Sequence, residues 1–228
     1  MQGLLIKRGV RLGVDGVFRI SFTFNGKVSP LGPTDCDSLL RRAGPVVTQS
    51  SLRLDRPVAL VGLMGAGKSS VGRRLAAVLG VPFRDSDDEV ERAAGQTISD
   101  IFSSLGEPAF RDGERRVIAR LLDEPAHILA TGGGAFVNEQ TRQLIKDKAV
   151  SVWLKADIDV LARRVGRKDT RPLLRDKDPR QVLQGLAEVR NPIYAQADIV
   201  VETGDTPHQA SVDAVLNALI AWQEAQKP

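Results

Sequence analysis

The residues best placed to do chemistry begin with a glycine-rich loop. Gly62-Leu63-Met64-Gly65-Ala66-Gly67-Lys68-Ser69 matches G-x-x-x-x-G-K-[ST] and lies between a short apolar run and a helical pattern. Glycines at this spacing let backbone N–H groups turn inward around phosphate oxygens, and a helix N-terminus adds positive potential. A lysine at position 68 can reach terminal phosphates, and the Ser69 hydroxyl can ligate Mg²⁺. Gly65, Ala66, Gly67, Lys68, Ser69 and Ser70 are therefore nucleotide-binding candidates, with ATP as the expected ligand. This loop alone supports only nucleotide binding.

Four further clusters follow. Asp85-Ser86-Asp87-Asp88 places two carboxylates at i and i+2 as the chain leaves a short apolar run. Transfer of a phosphoryl group needs such a pair, one towards the metal shell and one to receive a hydroxyl proton. In isolation the same acidic run reads as a solvated turn or a helix cap. Arg111 and Glu114 share a helical face at i, i+3, where the glutamate could hold the guanidinium ready for a ligand carboxylate. By spacing alone that pair reads as a surface ion pair worth little. Gly132-Gly133-Gly134 permits close backbone approach by a ligand, or is a plain turn. Arg163, Arg164, Arg167, Lys168, Arg171 and Arg175 crowd a polar loop and the helix end before it, either an exposed basic loop or a lid over transferring phosphate. Arg190 precedes a helix-ending proline at position 192.

These clusters need a scaffold, and the apolar pattern supplies one. Strand-like runs at 58–63, 82–85, 127–131, 150–154 and 199–202 alternate with helical segments at 68–79, 87–94, 98–105, 107–122, 139–146, 158–165, 179–195 and 207–223. Short apolar strands separated by helices indicate an α/β protein, a parallel sheet covered on both faces in three α/β/α layers. Ligands in such sheets bind beyond the carboxyl ends of the strands, where every cluster above falls.

Composition narrows the partners. The chain has 228 residues, 32 Lys and Arg, 28 Asp and Glu, and a pI near 9.5. Residues 1–55 hold eight basic and four acidic side chains, which leaves 24 of each for the rest. The basic excess thus belongs to the N-terminal segment, and a nucleic-acid partner is not expected. The single cysteine, Cys36, cannot form an internal disulfide, and no apolar run approaches the length of a membrane span. A cytoplasmic monomer without a membrane partner is the expectation. His127, His208, Trp153 and Trp222 read as structural. Residues 1–55 read as a poorly ordered extension with a possible strand or hairpin arm at Val17–Phe24, and residues 56–228 as the main domain.

Taken together, G-L-M-G-A-G-K-S-S-V-G, D-S-D, F-R-D-G-E, T-G-G-G-A, T-R-P-L-L and R-N-P-I-Y, in that order over about 57–225, resemble the shikimate kinase family. The resemblance implies a P-loop, nucleoside-monophosphate-kinase-like fold with a five-stranded parallel sheet and a mobile lid over about 166–178. It implies transfer of the γ-phosphate of MgATP to the 3-hydroxyl of shikimate. Asp85 is then similar to the residue that reaches Mg²⁺ through water, and Asp87 to the one that bonds substrate hydroxyls and acts as base. Arg111, Arg190 and the Gly133 N–H would hold the substrate carboxylate, with Glu114 steadying Arg111. Arg171 would close on the phosphates and Arg164 lie against adenine. Ser70 stands where family members often carry Thr, and the stretch 203–207 lacks the adenine-side arginine some members show. A different acceptor on the same fold, such as gluconate, is the nearest rival. A nucleotide-dependent switch is disfavoured by the absence of N-K-x-D.

Overall fold

A computed structural model describes residues 6–12, 18–24, 52–165, 178–205 and 207–227. The five expected strands are β3 (Val58–Val61), β4 (Phe83–Asp85), β5 (Ile128–Ala130), β6 (Val150–Ala156) and β7 (Ile199–Thr203). They are parallel and lie in the order β7-β6-β3-β5-β4. β3 is Val-Ala-Leu-Val, buried along its whole length, as a central strand covered on both faces must be. Two N-terminal strands extend this sheet. β2 (Phe18–Phe24) pairs parallel to β7, with Ile20 opposite Val201, and β1 (Ile6–Leu12) pairs antiparallel to β2. The chain runs from β3 to β4 and β5 on one side, then to β6 and β7 on the other. The switch point is therefore the carboxyl end of β3, where the glycine loop begins.

The helices are α1 (Lys68–Leu79), α2 (Ser86–Ala94), α3 (Ile98–Leu122), α4 (Glu139–Lys148), α5 (Ile158–Val165), α6 (Pro179–Tyr194) and α7 (His208–Ala225). A 3₁₀ turn at Ala135–Val137 precedes α4. α1 and α7 pack together, while α2 packs on α3 and α6 on α5. α1 approaches the sheet closely through Gly72, where a β-carbon would sit 2.7 Å from Phe83 Cε2. α3 is two helices joined at Gly106, whose φ of 78° and ψ of 171° leave the helical region. The break falls between the helices read at 98–105 and 107–122, and Pro108 follows at the start of the second, where its missing N–H costs nothing. Among the described residues no helix is long and apolar enough to cross a membrane.

An ion-pair chain fixes α2 against α3. Arg84 bonds Glu124 at 3.0 Å, Arg120 reaches Glu89 at 2.8 Å, and Arg92 also bonds Glu89. Burial pushes the Glu89 carboxyl up, but the Arg120 and Arg92 hydrogen bonds outweigh it and hold the group below its ordinary value. A depressed carboxyl stabilises the fold above its unfolded pKa, about 4.3, and that stabilisation is lost as the pH falls through the folded value. Glu89→Gln should accordingly lower the thermal midpoint near neutrality, with the gap to the parent closing in acid. Melting curves between pH 3 and 7 check this, and a gap independent of pH would contradict it.

Candidate active site

The glycine loop leaves β3 at Gly62, whose φ of 135° suits glycine alone and whose β-carbon would sit 2.8 Å from the Leu154 carbonyl oxygen. Gly65 (φ 81°) packs under α5, where a β-carbon would meet Val165 Cγ2 at 3.1 Å. Gly67 is the N-cap of α1 in a left-handed conformation, with no side-chain cap on the helix N-terminus. The backbone donors of the helix start are thus left uncapped by any side chain, the arrangement that favours an anion. Lys68 is buried and donates to the carbonyls of Gly62 at 2.8 Å and Leu63 at 3.0 Å. Ser69 donates its hydroxyl to Asp85 Oδ2 at 2.6 Å. The Ser70 carbonyl accepts from Arg74 at 2.8 Å, and Ala66 is buried.

Asp85 ends β4 and caps α2, its Oδ1 accepting from the Asp87 N–H at 3.1 Å. The cap fixes the turn that projects Asp87 across the sheet edge. Ser86, fully buried, accepts from the Gly132 N–H at 2.9 Å and so ties the acidic turn to the triple glycine. A β-carbon on Gly132 would sit 2.5 Å from Glu114 Oε1 and 2.7 Å from Asp87 Oδ1. Only a glycine lets both carboxylates crowd this turn. Burial raises the Asp87 carboxyl above its ordinary range, and Asp85 and Asp88 add to the rise against opposing pulls from Lys68 and Arg111. Burial likewise lifts Glu114, despite the charge and hydrogen bond of Arg111.

Arg111 and Glu114 form more than a surface pair. Glu114 is 2% exposed and accepts from Arg111 Nη1 at 2.7 Å, while its Oε1 has no hydrogen-bond partner. The guanidinium lies on the α-carbon of Gly134, where a β-carbon would be 2.5 Å from Nη2. Arg190, from α6, donates to the Gly133 carbonyl at 3.3 Å. Arg111 and Arg190 line one pocket of about 230 Å³ with Glu107, Gly134, Val137 and Asn138. Gly133 also faces the glycine loop, its α-carbon substituent position lying 3.5 Å from the Met64 nitrogen. On the other flank Arg164 bridges the Gly65 carbonyl at 3.4 Å and the Gly204 carbonyl at 2.7 Å. Arg171 and the lid expected at 166–178 lie, except for Asp178, outside the described residues.

Two site residues escape the sequence reading. Tyr194, fully buried and stacked on Phe136, donates its hydroxyl to the Gly133 carbonyl. Burial raises its phenol above the ordinary value, which keeps that donor protonated. Glu107 grips Arg111 from the side opposite Glu114, with Nε at 3.2 Å and Nη2 at 3.1 Å from its Oε1. Both lie at helical spacing from an arginine already singled out, four residues after Arg190 and four before Arg111, which is the available sequence signal.

Comparison with known proteins adds an independent line. The shikimate kinase family model matches residues 64–220. A shikimate kinase from Caulobacter vibrioides is 72% identical over 164 residues, covering 72% of this chain and 82% of the relative. One from Paramagnetospirillum magneticum is 54% identical, covering 82% of this chain and 95% of the relative. Among solved structures, the shikimate kinase from Acinetobacter baumannii in complex with shikimate superposes with a TM-score of 0.73 at 36% identity, covering 78% of this chain and 99% of that one. With a glycine loop, an acidic pair and two arginines gathered at one sheet edge, and these relatives beside it, the chain belongs to the shikimate kinase family.

Proposed function

We propose that residues 56–228 form the catalytic unit and that the side chains above divide the transfer of the ATP γ-phosphate to the shikimate 3-hydroxyl among themselves. The observation that carries this assignment is the meeting of Asp87, Glu114, Arg111 and Arg190 on the Gly132–Gly134 turn, with Gly133 facing the nucleotide loop. Arg111 and Arg190 take the substrate carboxylate from two directions, with Glu114 fixing the plane of Arg111 and the Gly133 N–H adding a donor. That anchoring sets a ring hydroxyl towards Asp87. Asp87 takes the hydroxyl proton as the oxygen attacks, and its raised pKa makes it a better base than an ordinary carboxylate. Lys68 serves the phosphates as they bind, at the mouth of the loop formed by Gly65, Ala66, Gly67, Ser69 and Ser70. Arg164 borders the nucleotide at its base, and Arg171, outside the described residues, is assigned to the phosphates by the family resemblance alone.

Ser69 Oγ and Asp85 Oδ2, 2.6 Å apart, are hard oxygen donors of the kind Mg²⁺ takes when it shares its shell with phosphates and water. The residues fit the ion: Ser69 would hold it directly and Asp85 through water. Bound with ATP, Mg²⁺ supplies charge neutralisation at the phosphate oxygens. Among the described residues no group of three or more His, Cys, Asp or Glu is placed to hold a metal ion by itself. A cytoplasmic setting is in keeping with a single cysteine, which can form no internal disulfide.

Acceptor choice tests the reading. Offered shikimate and gluconate with MgATP, the enzyme should phosphorylate shikimate, the rigid acid that fits two arginines and Asp87 together. Phosphorylation of gluconate in preference would overturn it.

A further inference from the structure

Arg111 is held by two carboxylates of opposite character. Glu114 is buried and bonds Nη1, on the inner side of the guanidinium. Glu107 has a side chain 63% exposed and bonds the outer edge, Nε and Nη2, through the single oxygen Oε1. That outer edge carries the two parallel N–H groups that suit a carboxylate's two oxygens. Glu107 and Arg111 line one pocket together with Arg190. The guanidinium also lies against Gly134, where a β-carbon would be 2.5 Å from the same Nη2. Glu107 itself follows Gly106, where the helical path breaks, and begins the second half of α3.

We propose that Glu107 is a resident stand-in for the substrate carboxylate, occupying the Nε–Nη2 edge of Arg111 until shikimate displaces it. This rests on the assignment of Arg111 to the substrate carboxylate. Displacement is favourable because an incoming carboxylate exchanges Glu107's one-oxygen grip for two parallel bonds and also gains Arg190. An exposed i, i+4 pair contributes little, so the barrier it sets is modest. Its consequence is selectivity: an acceptor without a carboxylate does not displace Glu107 and meets a pocket already carrying negative charge. Glu107 is in this sense a specificity-determining residue, and it keeps the outer edge of Arg111 paired whenever the site lacks substrate.

The test is a double-mutant cycle on shikimate affinity, measured by isothermal titration calorimetry for the parent, Glu107→Gln, Arg111→Ala and the double variant. Removing the competing charge should tighten shikimate binding by about threefold. The same Glu107→Gln change should have no effect when Arg111 is already alanine, because there is no edge left to contest. Weakened or unchanged affinity in Glu107→Gln overturns the proposal and makes Glu107 a support for Arg111 or a bystander. Tightening that persists in the Arg111→Ala background also overturns it, since through-space repulsion would then be the cause. If Arg111→Ala alone leaves shikimate affinity at the parental value, it is the carboxylate assignment of Arg111 that fails.

Discussion

Asp87→Asn should lower the turnover number by about 10²–10⁴-fold, the usual contribution of a positioned general base. The asparagine is nearly isosteric, and its side chain can still meet a hydroxyl, so binding should survive. ATP affinity should remain close to that of the parent, because the glycine loop is built from backbone donors and Lys68, not from Asp87. The substitution also removes a carboxylate that burial and Asp85 make costly to ionise. The variant should therefore be at least as stable as the parent near neutrality, which separates lost chemistry from lost folding. Steady-state kinetics, a nucleotide titration and a melting curve read the three quantities. A turnover number within a few-fold of the parent would remove Asp87 from the proton transfer.

Arg111→Ala should raise the KM for shikimate by about 10²-fold or more, since deleting one partner of a hydrogen-bonded charge pair in a partly buried site costs about 2–5 kcal/mol. The substitution should also cost stability before any substrate enters. The substitution would leave Glu114, which is 2% exposed and already has one unpartnered oxygen, without its cation. Burial holds the Glu114 carboxyl above its ordinary range even with Arg111 present, so without it the group would take up a proton more readily still. Arg190→Ala should weaken shikimate binding by less, because Arg190 is held by the Gly133 carbonyl and leaves no buried carboxylate behind. Both should change the KM for ATP far less than that for shikimate. Arg111→Lys should not rescue, because an ammonium cannot serve Glu114 and a ligand carboxylate with a planar fork. Equal losses for the two substrates would contradict the division of the site.

The nucleotide loop was readable in the sequence because its requirements are local: left-handed glycines, then a lysine and serine opening a helix. The five apolar strands were readable for a similar reason, each being a short run bounded by turn residues. Even the break of α3 at Gly106 could be placed, since glycine followed by proline interrupts a helical period. What spacing could not show is which long-range partners convert weak local signals into a site. Arg111 and Glu114 read as a surface pair until the fold buries the glutamate beside Gly132. Ser86, between two aspartates, gives no hint that it receives the Gly132 N–H from 46 positions away. Arg164 ends on backbone carbonyls, which carry no sequence signature. Glu107 carries no distinct signal because Arg111 has acidic residues on both sides at helical spacing, and pattern alone does not say that it uses both. The pairing of β2 with β7 joins residues far apart in sequence, and no local pattern specifies such a register.

A coupled assay of ADP release with purified chain, Mg²⁺ and ATP, run with and without shikimate, tests the central claim most directly. If the sheet edge joins a nucleotide site to an acid-binding pocket as described, ADP appears at a rate that depends on shikimate and saturates with it. ADP release at the same rate without shikimate, or none in its presence, would contradict the account.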